Sequence, residues 1–67
     1  MNTQLLKSRM VLVKDTLADL SEILGITPGT LSNKINGKSE FTQAEIGKIA
    51  EHYQLTGDEI KEMFFYE

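Results

Sequence analysis

The segment from Thr16 to Lys38 constrains the fold of this 67-residue chain more than any other, because it predicts two short helices joined by a tight turn. Thr16 and Asp19 have the spacing of a capping box, in which a hydroxyl and a carboxylate satisfy free amides at a helix start. Gly25 can adopt the left-handed backbone conformation that ends a helix at little steric cost. The segment therefore predicts a helix, a turn and a second helix.

The second helix of this segment has its own start and stop signals. Thr27 is placed to cap it, and Pro28 stands at the first helical position, where its missing N–H is not needed. Leu31 and Ile35 are four residues apart, which predicts the face that points into the core. We expect the Asn-Gly pair at 36–37 to end this helix and its polar side chains to lie on other faces.

Three further helices are predicted from apolar periodicity and from start signals. One covers about residues 4–13, and two others begin at capping boxes formed by Thr42 with Glu45 and by Thr56 with Glu59. We find no strand pattern, internal repeat or linker in the sequence. Because these signals agree, we predict that the whole 67-residue chain is one all-α domain, a compact five-helix bundle.

Composition limits the classes of function. The chain has no cysteine, so it forms no disulfide and has no thiolate nucleophile. It shows neither a long apolar run nor a signal-peptide pattern, and we therefore expect a cytoplasmic protein without a membrane contact. His52 lacks ligand-type neighbours in the sequence and is interpreted as a surface residue. Since no base stands beside a nucleophile and no Gly-rich phosphate loop is present, we expect no enzymatic activity, cofactor, metal or small-molecule ligand.

The charge is distributed unevenly along the chain. Residues 1–38 contain five basic and three acidic side chains, a net charge of +2, whereas residues 39–67 contain two basic and seven acidic ones, a net charge of −5. A modestly basic front and an acidic back favour one orientation on a negatively charged partner.

Residues 16–38 resemble the Cro and repressor-type helix-turn-helix family of temperate phages and bacteria. The residues that carry this resemblance are apolar, small or turn-forming, and they are Leu20, Ser21, Leu24, Gly25, Thr27, Pro28 and Leu31. The stretch from Phe41 to Ile46 and the Phe64-Phe65 pair are similar to a small Cro-like prophage subgroup. The resemblance implies a lambda-repressor-like DNA-binding fold and a double-stranded DNA operator as partner.

Three features depart from the family pattern. Many relatives have an Arg at the position of Met10 and a Glu at that of Ile35, and here we expect these two apolar side chains to pack directly. Leu17 stands where relatives often have a polar residue that binds a phosphate. Lys34 occupies a position that is usually apolar, so the end of its helix is expected to be slightly rotated.

The resemblance also implies which residues contact DNA. The residues expected at base edges are Pro28, Gly29, Ser32 and Asn33. Asn33 is the strongest candidate among them, because an asparagine amide can form two hydrogen bonds with adenine. The residues expected at the phosphate backbone are Thr27, Thr30, Lys34, Asn36, Lys38, Arg9 and Lys7, together with Gly37 through its amide.

Aromatic residues are concentrated at the end of the chain. Phe64 fits the inner stripe of the last helix, and Phe65 and Tyr66 are the candidates for a dimer interface. Folding of these two side chains over the first helix is the alternative.

The functional hypothesis is a sequence-specific transcriptional regulator. We expect a Cro-like phage or prophage repressor that binds an inverted-repeat operator as a homodimer. The alternative is a protein-interaction module, an antitoxin or antirepressor, that uses the acidic back and the aromatic tail.

Overall fold

Four of the five helices begin at a threonine whose hydroxyl caps the first turn. The computed structural model describes residues 3–65, and within this range the chain is helical without any strand. The helices are α1 Thr3–Leu12, α2 Leu17–Leu24, α3 Pro28–Ile35, α4 Gln43–Tyr53 and α5 Gly57–Phe64. The predicted all-α helix-turn-helix fold is confirmed, and α1 begins and ends one residue earlier than expected.

All three predicted capping boxes are present. At the start of α2, the amide of Asp19 donates to the Thr16 hydroxyl over 3.2 Å, and the Thr16 amide donates to the Asp19 carboxylate over 2.9 Å. The boxes of α4 and α5 have the same reciprocal bonds. Each cap satisfies amides that a helix start otherwise leaves without a partner, which is why these starts could be located in the sequence.

Left-handed residues end the helices that flank the turn. Gly25 has φ +73° and Gly37 has φ +81°, values that L side chains rarely adopt. Past these glycines, the amide of Ile26 donates to the Ser21 carbonyl over 3.0 Å, and that of Lys38 donates to the Asn33 carbonyl over 2.8 Å. Both ends therefore close with the hydrogen bond of a Schellman motif.

The core forms where α1 to α4 each contribute one fully buried aliphatic side chain. These side chains are Leu6, Leu20, Leu31 and Ile49, and Met63 and Phe64 of α5 close the core on the remaining side. The helices α2 and α3 pack closely together, as do α2 with α4 and α1 with α5.

Met10 and Ile35 are the two apolar residues that stand where many relatives have an Arg and a Glu. Both are buried, with 7% and 4% of their surface exposed, and both belong to the same core cluster. They also border one surface groove between α1 and α3. The apolar pair is therefore part of the core between these helices.

A membrane-spanning helix needs about 20 mostly apolar residues. None of the helices in residues 3–65 meets that requirement.

The burial of Leu31 leads to a stability prediction. Leu31→Ala removes a fully buried side chain, and we expect it to lower the free energy of unfolding by about 2–5 kcal/mol. A domain of this size has a total of only about 3–5 kcal/mol, so the variant is expected to be largely unfolded. Urea denaturation followed by circular dichroism measures the change.

Leu12→Ala is the matched control, because Leu12 is a leucine with 75% of its surface exposed. We expect this control to change the free energy of unfolding by less than about 0.5 kcal/mol. Equal losses for the two variants would contradict the core assignment.

Candidate nucleic-acid interface

The outward face of α3 carries the residues that were expected at base edges. Pro28, Gly29 and Asn33 are exposed, and Ser32 is half-buried. Gly29 lies four residues before Asn33 and three before Ser32, a spacing that puts all three on one side of a helix. Leu31 and Ile35 turn the opposite side into the core. The structure thus groups the predicted base-reading positions on one exposed surface, which we call the α3 face.

The hydrogen bonds on the α3 face do not involve the side-chain amide of Asn33, which is therefore available to a ligand. Asn36 donates from Nδ2 to the Ser32 hydroxyl oxygen over 3.3 Å, so these two side chains support each other. Within residues 3–65, no group is hydrogen-bonded to the side-chain amide of Asn33. An exposed amide without a partner keeps both its donor and its acceptor for a ligand.

The two threonines at the start of α3 are coupled. Thr27 accepts from the amide of Thr30 over 3.2 Å, and its own hydroxyl donates to the Thr30 hydroxyl oxygen over 2.9 Å. The predicted cap is confirmed, and it uses the proton of Thr27 within the protein. Thr30 keeps its hydroxyl proton for another acceptor, so it is the better suited of the two to donate to a phosphate.

Lys34, one of the residues expected at a phosphate, forms a buried ion pair within the protein. Its Nζ lies 2.8 Å from Oε1 of Glu45 and 3.0 Å from the Glu40 carbonyl oxygen, and only 11% of each of the two charged side chains is exposed. Lys34 follows Leu31 by three residues, and this spacing places it on the inward side of α3. A buried ammonium needs a charged or hydrogen-bonding partner, and this one is used inside the protein rather than at a phosphate.

The Glu45 carboxylate binds both Lys34 of α3 and the backbone at the start of α4. Its Oε1 accepts from Lys34 and also from the Thr42 amide over 2.8 Å, which completes the capping box of α4. Burial raises the pKa of Glu45, but the hydrogen bonds from Lys34 and Thr42 outweigh burial and hold the pKa below its ordinary 4.5. The carboxylate is therefore charged at neutral pH and pairs with the ammonium.

Arg9, also expected at a phosphate, is bound within the protein as well. Its guanidinium forms an ion pair with Glu59 and donates from Nη1 to the Tyr53 carbonyl oxygen over 3.3 Å. Arg9 thus connects α1 to the start of α5 instead of facing α3. Lys7 is exposed and borders the groove that Ser32 and Asn36 also line, so it remains a candidate for a phosphate contact.

The amides just after α3 are hydrogen-bonded within the helix end. The Gly37 amide donates to the Lys34 carbonyl over 3.2 Å, and the Lys38 amide closes the Schellman motif described above. Neither amide is left for a phosphate, because the helix end uses both. The exposed side chains of Asn36 and Lys38 remain available.

A polar cluster that the sequence did not predict joins the loop before α2 to α4. His52 is exposed, as expected, and its Nε2 lies 2.8 Å from Oδ2 of Asp15, which also accepts from the Tyr53 hydroxyl over 2.9 Å. The hydrogen bond from His52 is the main reason that the pKa of Asp15 lies below its ordinary value. Burial, followed by this contact with Asp15, raises the pKa of Tyr53. The cluster ties the entry of α2 to the end of α4.

Within residues 3–65, no three His, Asp or Glu side chains come together in a way that could hold a metal ion.

The sequence profile of the helix-turn-helix family matches residues 6–60. The chain belongs to this family. The match is to the XRE type, whose members are DNA-binding transcriptional regulators, and the fold places α2 and α3 as the helix-turn-helix unit. Comparisons with curated proteins and with solved structures found no significant match. Double-stranded DNA is thus the partner that the family implies.

The lowered pKa of Glu45 leads to a pH prediction. A carboxyl whose pKa is lowered in the folded state adds stability above its unfolded value and loses that contribution as the pH falls through the folded value. We therefore expect wild type to exceed Glu45→Gln in free energy of unfolding by a constant amount above pH 4.5, and the difference to shrink below it. Urea denaturation between pH 7 and about pH 3 tests this.

Glu22→Gln controls for the loss of one acidic charge, because Glu22 is exposed on α2. A difference between wild type and Glu45→Gln that stays the same down to the lowest pH would contradict the assigned ion pair.

Proposed function

We propose that this protein is a Cro-like phage or prophage repressor that binds an inverted-repeat operator as a homodimer and represses by occupying the promoter. The observation that carries the proposal is the α3 face, where an unpaired Asn33 amide lies on a helix that is capped at both ends. The resemblance of residues 16–38, 41–46 and 64–65 to Cro-like prophage proteins supports the repressor role.

Base recognition is assigned to Asn33, with Ser32 beside it. A bidentate asparagine–adenine contact discriminates by about 1–3 kcal/mol against a wrong base. Gly29 and Pro28 carry no polar side chain, and a Cβ added at Gly29 would meet no atom of the protein within 4 Å. The space outside the first turn of α3 is therefore open, which suits a close approach of the helix to a base pair.

Phosphate contacts are assigned to exposed side chains around the α3 face. The proposed set is Lys7, Thr30, Asn36 and Lys38, without Thr27, Lys34, Arg9 and the Gly37 amide, whose donors are used within the protein. These contacts set the register and orientation on DNA but do not identify a base.

The size of the domain supports a dimer. Its longest dimension is 27 Å, whereas two half-sites of an operator lie about 34 Å apart. One copy therefore reads one half-site, and an inverted repeat is matched by a two-fold pair of copies.

Phe65 is the proposed contact between the two copies. Its side chain is 59% exposed and borders a cavity with Phe41, Phe64 and Gly37, next to the end of α3. A two-fold contact there would bring the two reading helices near each other. Tyr66, the second expected interface residue, lies outside the described residues.

The Asn33 assignment predicts a loss of sequence specificity. Operators are first selected from a random duplex pool with wild type, and binding is then measured by fluorescence anisotropy. We expect Asn33→Ala to weaken operator binding by about tenfold or more and to relax the preference at one base pair of each half-site.

Lys38→Ala is the control, because Lys38 is an exposed, proposed phosphate contact that lies outside the α3 face. It is expected to weaken binding to all duplexes about equally. Retained specificity in Asn33→Ala would overturn the base assignment. If wild type enriches no duplex at all, a protein-partner role as antitoxin or antirepressor becomes the better hypothesis.

The proposed dimer contact predicts that wild type and Phe65→Ser differ in oligomeric state. We expect wild type to form dimers in sedimentation experiments, at least with operator DNA present, and Phe65→Ser to bind one half-site as a monomer. Leu12→Ser is the control, since Leu12 is also exposed but lies on α1. Dimers of unchanged stability in Phe65→Ser would show that the interface lies elsewhere.

A further inference from the structure

The buried Lys34 is not explained by DNA contact or by a need for core volume. Its ammonium donates to the Glu45 carboxylate and to the Glu40 carbonyl, and it lies 5.9 Å from the centre of the Phe41 ring. The Phe41 ring in turn packs edge-on against Phe64 of α5, with ring centres 5.6 Å apart. One side chain of α3 thus contacts the loop after it and the start of α4.

The packing of α3 shows why this contact matters. Among the helices of residues 3–65, α2 is the one with extensive backbone packing against α3. Leu31 and Leu20 bury that side completely. Apolar packing turns the side of α3 that carries Leu31 inward, but because it is non-directional it restrains small rotations of α3 about its own axis less strongly than the distance between α2 and α3. The ion pair of Lys34 with Glu45 is directional and supplies a restraint on the side of α4.

We propose that Lys34 is a positioning residue for DNA reading, whose ion pair with Glu45 sets the rotation of α3 and the course of residues 36–42. Lys34 directly follows Asn33, so a rotation of α3 that releases the ammonium also moves the reading amide away from its base. The inference rests on the proposed reading role of Asn33.

The burial of the charged pair of Lys34 and Glu45 is better explained by a positioning role than by a contribution to the stability of the fold. Replacing a buried ion pair by neutral groups of similar volume is often tolerated by the fold, whereas the pair restricts the chain to one arrangement. Glu45 already has the Thr42 amide as a partner, so the start of α4 does not depend on Lys34. The contribution specific to Lys34 is the connection of α3 to α4.

The test uses the full chain with the double substitution Lys34→Met and Glu45→Gln. Methionine keeps most of the length of the lysine side chain, glutamine keeps an oxygen for the Thr42 amide, and the net charge stays at −3. Lys38→Met is the matched control, because Lys38 is exposed on the same side of the molecule. Urea denaturation of each variant first establishes that it is folded.

Two quantities are measured by anisotropy for each protein. One is the ratio of the dissociation constants for a duplex mutated at the Asn33 position and for the selected operator. The other is the slope of log K against log salt concentration, which changes by about 0.9 for each phosphate that the protein no longer binds. We expect the double variant to show a ratio about tenfold smaller with an unchanged slope. Lys38→Met is expected to show a slope about 0.9 smaller for each copy bound, and thus about 1.8 smaller for the dimer, with an unchanged ratio.

Each other outcome is decisive. A lower slope with a retained ratio in the double variant would make Lys34 a phosphate contact and overturn the proposal. An unchanged ratio and slope would show that the pair only fills the core. Failure of wild type to enrich any duplex would overturn the proposed function, and it is distinguishable because it is seen before any variant is made.

Amide hydrogen exchange of the free protein tests the positioning without DNA. We expect faster exchange at the amides of Gly37 and Lys38 in the double variant, with unchanged exchange at the Leu20 amide of α2. These two amides donate hydrogen bonds at the end of α3. Unchanged exchange at both of them would falsify the proposal even if no operator is found.

Discussion

The packing of Leu31 of α3 against the buried side chains of α2 is the interaction on which the rest of the structure depends. Leu31 and Leu20 are completely buried, and the left-handed Gly25 between their helices allows the chain to reverse in a tight turn. With its apolar side held in this way, α3 turns its polar side outward. The exposure of Asn33 is therefore a consequence of the burial of Leu31, two residues before it.

Polar contacts between distant parts of the chain hold this unit in place. Asp15 binds His52 and Tyr53 and so joins the loop before α2 to α4, while Lys34 joins the end of α3 to the start of α4. Hydrogen bonds to charged groups are directional and stronger than neutral ones. A domain with so small a core thus combines non-directional apolar packing with a few directional contacts next to its reading helix.

The fold was predictable from sequence because its signals are local. Threonine caps, the capping-box carboxylates and the turn glycines act on residues a few positions away, and each can be identified without tertiary contacts. The apolar spacing of Leu31 and Ile35 likewise depends only on the helical repeat. This is why the five helices and the inward face of α3 were placed correctly.

For three expected phosphate contacts, the sequence did not reveal the bonds that each group makes within the protein, because these bonds depend on partners far away in sequence or on the geometry of a helix end. Lys34 and Arg9 look like surface cations in the sequence, yet each finds an acid on another helix, Glu45 and Glu59. The position of Lys34 three residues after Leu31 was a signal of its burial, but nothing nearby in the sequence identified its partner. The Gly37 amide was assigned to a phosphate although the Schellman motif uses it.

The amino-acid sequence by itself determined where the helices lie along the chain and which apolar side chains of α3 face the core, because caps, glycines and apolar periodicity are local properties. Only the tertiary structure decided which cations remain free to meet DNA, because an ion pair forms wherever folding brings opposite charges together. It left Lys7 and Lys38 exposed and turned Lys34 into a link between α3 and α4.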